Sequence, residues 1–182
     1  MARVPYVERE ALDAEGQEIY DRIRRDRNSD QVGLQFRALL HSPQVAGHLT
    51  SMGAQLRFKS ALPEKLKELA IIVVAREWNS DIEWTAHAAL AARAGVSAAS
   101  IEAIRTGQRL DVLSQEERVI ARFVHQLSRD RNLTDEAFAA AQALLGTRGV
   151  VDLTLTCGYY TAINMAQIAL KPEMEPGKTS TL

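Results

Sequence analysis

KLKELAIIVVAREW, Lys65 to Trp78, is the stretch on which the fold turns. From Leu69 onward apolar residues cover nearly the whole circumference of a helix, and a helix apolar all round belongs in the middle of a bundle. Pro63 stands where such a helix begins, so the segment predicts one helix from about 63 to 78. Asn79, Ser80 and Asp81 then break it and cap a second helix, from about 81 to Ala94, which stops at Gly95. Further out, Ser97 caps a short helix ending at Gly107, and Ser114 with Glu117 forms an S-x-x-E capping box opening a helix over about 115 to 130. Thr134 caps another that ends near Gly146, and the last helix runs from Val150 to about Leu170, apolar around most of its girth, ahead of Pro172. In the other direction, Ser42 and Pro43 open a helix to about Lys59, and FRALL, Phe36 to Leu40, forms a turn or helix of its own. The first amphipathic helix spans about Asp13 to Asn28, and its mixed-sign stretch from Asp21 to Arg27 reads as a solvated face.

The alternating β-branched signature of strands never appears, so the class is all-α, a multi-helix bundle. No repeat or linker emerges, and the chain reads as a single domain over 1–182 with a polar, loose tail from about 171 to 182. The nearest thing to a boundary is QRLDVL, Gln108 to Leu113. With 182 residues, 46% of them hydrophobic, one domain can bury a genuine core. Basic and acidic residues number 22 and 23, which leaves no broad field to hold nucleic acid or an anionic membrane. The longest apolar run, Leu69 to Ala75, is far short of the roughly 18 residues that mark a membrane span. The opening MARVPYVERE is charged and carries no secretory signal, so the cytoplasm is the expected location. A single cysteine, Cys157, rules out an internal disulfide, a CxxC redox centre and a cysteine-rich zinc site.

Chemistry concentrates in SDIEWTAHAALAARAG, Ser80 to Gly95. At about 100° per residue, Ser80, Glu83 and His87 fall on one stripe, which continues through Leu90, Ala91 and Ala94 and therefore faces the protein. A Glu one turn before a His can accept from one ring nitrogen, fix the tautomer and leave the other nitrogen free, which is the arrangement of a general acid or base. Glu68 immediately precedes the least polar segment of the chain, where burial without a partner is costly. It either lies at the rim in water or meets a partner, and His87 on the adjacent helix is one. The bland alternative makes Glu83 a first-turn acid offsetting the helix dipole and His87 a hydrogen-bonded core residue. Glu83 and His87 are two metal ligands at most, and a third would have to come from Glu68, so no metal is expected. Trp84 can wall a pocket or serve the core; Tyr159 and Tyr160 sit in an apolar helix where a hydroxyl needs a partner, and one can reach a ligand. His41, His48, Arg37, Arg57 and Arg76 are candidates for gripping an acid, and Cys157 reads as an inert buried thiol.

KELAIIVVAREWNSDIEWTAH followed by HAALAARAGVSAASIEAI resembles the carboxymuconolactone decarboxylase and alkylhydroperoxidase D-like proteins. In that family's peroxidase branch the second helix carries C-x-x-C-x-x-x-H, with a Glu twelve residues before the first cysteine. Laid on this chain without gaps, the His is His87, the cysteine positions are Ser80 and Glu83, and the upstream Glu is Glu68. The match is clearest from about Leu62 to Ile104, and LLHSP at Leu39 to Pro43 and GYYTAINM at Gly158 to Met165 look like further parts of longer members.

Serine and glutamate cannot form a disulfide, so the resemblance is to the branch lacking CxxC. It implies an alkylhydroperoxidase D-like helical fold, assembly as a homo-oligomer (trimer or hexamer), and a cofactor-independent, lyase-type site acting on a small organic acid or lactone. There His87 moves a proton, Glu68 and Glu83 orient it, and Ser80, Trp84 and Tyr160 bind substrate. Two other readings stand beside it: a non-catalytic oligomeric binding or scaffold protein of the same fold, and a peroxide-handling enzyme, which the missing CxxC disfavours.

Overall fold

Ten consecutive residues from Leu66 to Ala75 are buried, Lys67 and Glu68 among them, as befits a helix apolar nearly all round from Leu69 onward. In the computed structural model, which describes residues 1–108 and 110–182, this is α4. Eight helices are described: α1 (Ala14–Asp26), α2 (Leu34–Leu39), α3 (Pro43–Lys59), α4 (Glu64–Glu77), α5 (Asp81–Arg93), α6 (Ala98–Thr106), α7 (Gln115–His125) and α8 (Asp135–Leu170). Among the described residues there is no strand. The chain forms two compact units, one of residues 1–59 and 166–178, the other of residues 60–165 and 179–182.

In the first unit, Asp13 caps α1 by accepting from the Gly16 N–H at 2.8 Å, and α1 packs on α3. A short 3-10 turn, Arg9–Ala11, is fastened to α1 by a two-pronged pair from Arg9 to Asp21 at 3.0 and 2.8 Å. The tail returns here, Glu173 N–H donating to the Tyr6 hydroxyl and Glu175 accepting from the Leu34 N–H.

In the second unit, α4 is the hub, packed against α5, α6 and α7. Ser80 and Ser97 cap α5 and α6, and Ser114 with Glu117 closes the capping box at the start of α7. The chain end hydrogen-bonds within this unit as well, Ser180 to Asp81 and the Thr181 N–H to Thr85 at 3.2 Å. A tail read from sequence as loose thus has partners near both of its ends.

Two elements differ from the sequence reading. The helix expected over 115–130 is α-helical only to His125 and continues as a wider π turn, Gln126–Asp130. Helical geometry after Thr134 is broken at Gly146 alone (φ 71°, ψ 173°), so the last helix resumes three residues before the expected Val150. Arg109, inside the QRLDVL stretch, lies outside the described residues.

Candidate functional site

α4 and α5 form an antiparallel pair, and their facing stripes carry the acids and the imidazole. Glu83, Trp84, His87 and Ala91 are the buried positions of α5; Glu83, His87 and Ala91 belong to the stripe read from the spacing, whose Leu90 and Ala94 are half-buried. Glu68 lies in the buried first half of α4 and is 2% exposed. Its carboxylate Oε2 meets His87 Nδ1 at 2.7 Å, so the acid entering the apolar core has its partner, as burial demands. On the other side of the ring, the Tyr160 hydroxyl lies 3.2 Å and Glu83 Oε2 3.5 Å from Nε2. The Tyr160 ring stands edge-on to the imidazole, centroids 5.1 Å apart at 83°, and Tyr159 packs edge-on to Tyr160 in turn.

The network assigns the protons. An ionised Glu68 can only accept, so Nδ1 carries a hydrogen and donates to it; Nε2 of the neutral ring then accepts from Tyr160. Glu83 Oε2, 3.5 Å from Nε2, is placed to pair with the ring on that side. The cluster therefore holds one imidazole in a fixed orientation with Nε2 between a hydroxyl and a carboxylate. His87 itself is 4% exposed.

Of the other residues singled out from sequence, Ser80 sits at the N-cap of α5, its hydroxyl accepting from the Glu83 N–H at 3.4 Å. It thereby helps place Glu83. Trp84 is 1% exposed and part of the core. Cys157 is buried, and burial pushes its thiol up to about 12, leaving no thiolate near neutral pH. His41 contacts the Pro5 carbonyl at 2.9 Å, Arg37 pairs with Glu8, and Arg57 stands over the Phe58 ring at 5.2 Å, all within the first unit. Arg76, on α4, donates to the Arg105 carbonyl at 2.6 Å. Sequence reasoning missed the bond between Tyr160 and His87, 73 residues apart. The available signal was the need of a buried phenol for a partner. Among the described residues, no group of three or more His, Cys, Asp or Glu is placed to hold a metal ion, and no helix is long and apolar enough to cross a membrane.

The family model for the carboxymuconolactone decarboxylase family matches residues 43–126. The sequence matches none of the curated proteins with which it was compared. Among solved structures, the chain is similar to the alkylhydroperoxidase AhpD core of an uncharacterized peroxidase-related protein from Ralstonia eutropha JMP134. That likeness has a TM-score of 0.79 at 13% identity, covering 96% of this chain and 93% of that one. It is also similar to a protein of unknown function from Agrobacterium tumefaciens, named as a candidate AhpD-type antioxidant defence protein. Here the TM-score is 0.66 at 15% identity, over 74% of this chain and 92% of that one. At these identities the likeness establishes a shared helical fold.

Proposed function

Taking residues 43–126 as a carboxymuconolactone decarboxylase family segment in an alkylhydroperoxidase D-like fold, we propose that the chain is a cofactor-independent, lyase-type enzyme that moves a proton on a small organic acid or lactone. The observation that carries the reading is the His87 ring, fixed through Nδ1 to Glu68 at 2.7 Å while Nε2 faces Tyr160 and Glu83. In a decarboxylation of a carboxylated unsaturated lactone, the bond to the carboxylate carbon breaks and CO2 leaves. The electron pair stays on the lactone as an enolate, and the ring in its imidazolium form delivers the Nε2 proton to carbon and becomes neutral. Water returns the proton to the ring. Glu68 holds the tautomer, Glu83 balances the imidazolium, and Tyr160, Ser80 and Trp84 are the substrate-side residues of this reading.

A thiol peroxidase is the weaker reading, because it needs a thiolate and Cys157 is buried with its thiol pushed up to about 12. A scaffold that keeps the fold without the chemistry draws support from one observation: both ring nitrogens of His87 already have neighbours within 3.5 Å, and the residue is 4% exposed. Assembly into a homo-oligomer and a cytoplasmic location are part of the proposal. Support for assembly comes from α8, where Val151, Leu155, Gly158, Ala162 and Met165 are exposed at alternating steps of four and three, on the side opposite Tyr160.

The test is a panel of small unsaturated lactones and carboxylated lactones, assayed with wild type and His87→Gln. Turnover that falls by about 10²-fold or more in a variant with unchanged helical circular dichroism is the expected result. Unimpaired turnover in His87→Gln refutes the mechanism, and ligands that bind wild type without conversion establish the scaffold reading.

A further inference from the structure

A second carboxylate and imidazole pair lies on the same helix as Glu68. Glu77, at the end of α4, accepts from His125 Nδ1 at 2.8 Å and from Arg129 through Nε and a terminal nitrogen at 3.0 and 2.7 Å. Nine residues separate Glu68 from Glu77, which is about 13 Å along the axis and about half a turn around it, so the two pairs face opposite sides of α4. The π turn Gln126–Asp130 carries Arg129 back over α4 beside His125. These residues, with Arg76 and Asn79, line a cleft of about 320 Å³, within the size range of small-ligand sites.

The charges in this cleft do not cancel. Burial pushes the Glu77 carboxyl up, but the Arg129 and His125 bonds outweigh it and hold the group below the ordinary value, so it is an anion at neutral pH. Against that single anion stand two guanidiniums and an imidazole. Arg76 has no acidic partner among the described residues: it donates to the Arg105 carbonyl and to the Asn79 amide oxygen. The exposed Asp130 acts on Arg129 from outside the lining. The donors left over are Arg76 Nη2 and Arg129 Nη1, neither of which meets an acceptor among the described residues. Both guanidiniums line the one cleft.

We propose that this cleft, built by Arg76, Glu77, Asn79, His125 and Arg129, binds a compact oxyanion, the phosphate or carboxylate group of a small molecule, at a site separate from His87. Arginine forks match such groups in shape and charge. Glu77 takes no part in gripping the anion; it aims His125 and Arg129.

The test is a titration of the full chain, followed through the histidine ring resonances, with inorganic phosphate, succinate or chloride at constant ionic strength. A saturable shift of His125 with phosphate or succinate, absent with chloride, is expected, while the His87 resonance stays still. Phosphate alone would identify a phosphorylated ligand, succinate alone a carboxylate, and either supports the site. Arg76→Gln should weaken binding about tenfold, the loss of one charge-assisted bond. Since Arg76 also serves the end of α6, Arg129→Gln is the companion variant, at a side chain 66% exposed. No saturable shift with either oxyanion, or unchanged affinity in both variants, leaves the cluster a structural tie and overturns the proposal.

Discussion

His87 owes its orientation to partners on both faces, and the two contacts were unequally visible. The Glu68 contact follows from burial, since a carboxylate leading into Leu69–Ala75 needs a neighbour and the next helix offers an imidazole. Tyr160 is visible in sequence only as a phenol in want of a partner. Its choice of His87, 73 residues away, is a matter of tertiary packing. The Glu77, His125 and Arg129 cluster has no sequence signal, because Glu77 looks like any acid near a helix end and its partners lie 48 and 52 residues downstream. Removing Glu68 tests the residue-scale account. Glu68→Ala leaves a hole in the core and a buried Nδ1–H without an acceptor, and should cost about 3 kcal/mol. Glu68→Gln keeps volume and a carbonyl acceptor and should cost about 1 kcal/mol. Urea midpoints at unchanged slope measure both. Equal, negligible losses would mean that the 2.7 Å contact is not made in solution.

Helix starts were legible because capping is local chemistry: Asp13, Ser80, Ser97 and Ser114 each accept from the first turn, as their positions predict. Where α7 widens into a π turn, and where the chain bends before α8 resumes, nothing local dictates the outcome. Gly146 adopts φ 71° and ψ 173°, a region almost closed to residues with a Cβ. An added methyl there would meet nothing within 4 Å. Gly146→Ala should therefore destabilise by about 1–3 kcal/mol from backbone strain alone, and a thermal midpoint at or above wild type would contradict the bend. Glu117 closes the capping box and binds Lys65 Nζ at 2.9 Å and the Ser100 hydroxyl at 2.9 Å. Burial pushes its carboxyl up, but Lys65, the Ser114 N–H and Ser100 outweigh that and set it below 4.5. A depressed folded value stabilises above the unfolded value and is lost as pH falls through the folded one. Glu117→Gln should lower stability at pH 7, with the difference from wild type shrinking below about pH 4.5.

For the whole molecule, the all-α class was legible because helical periodicity, caps and the absence of alternating strands agree from end to end. The proposed homo-oligomer rests on an exposed apolar face. The exposed face of α8 that holds Leu155 and Met165 suits another apolar surface. Leu155→Asp should convert an oligomer into monomers in analytical ultracentrifugation, with the fold retained; a wild-type chain that sediments as a monomer at micromolar concentration removes the basis for this. The central claim, that the His87 ring transfers protons to carbon, has its most direct test in solvent exchange. In D2O, wild-type protein with small lactones and their carboxylated analogues should place deuterium at the carbon beside the carbonyl, at a rate about 10²-fold or more above that of His87→Gln. The same exchange rate in both proteins would contradict the account.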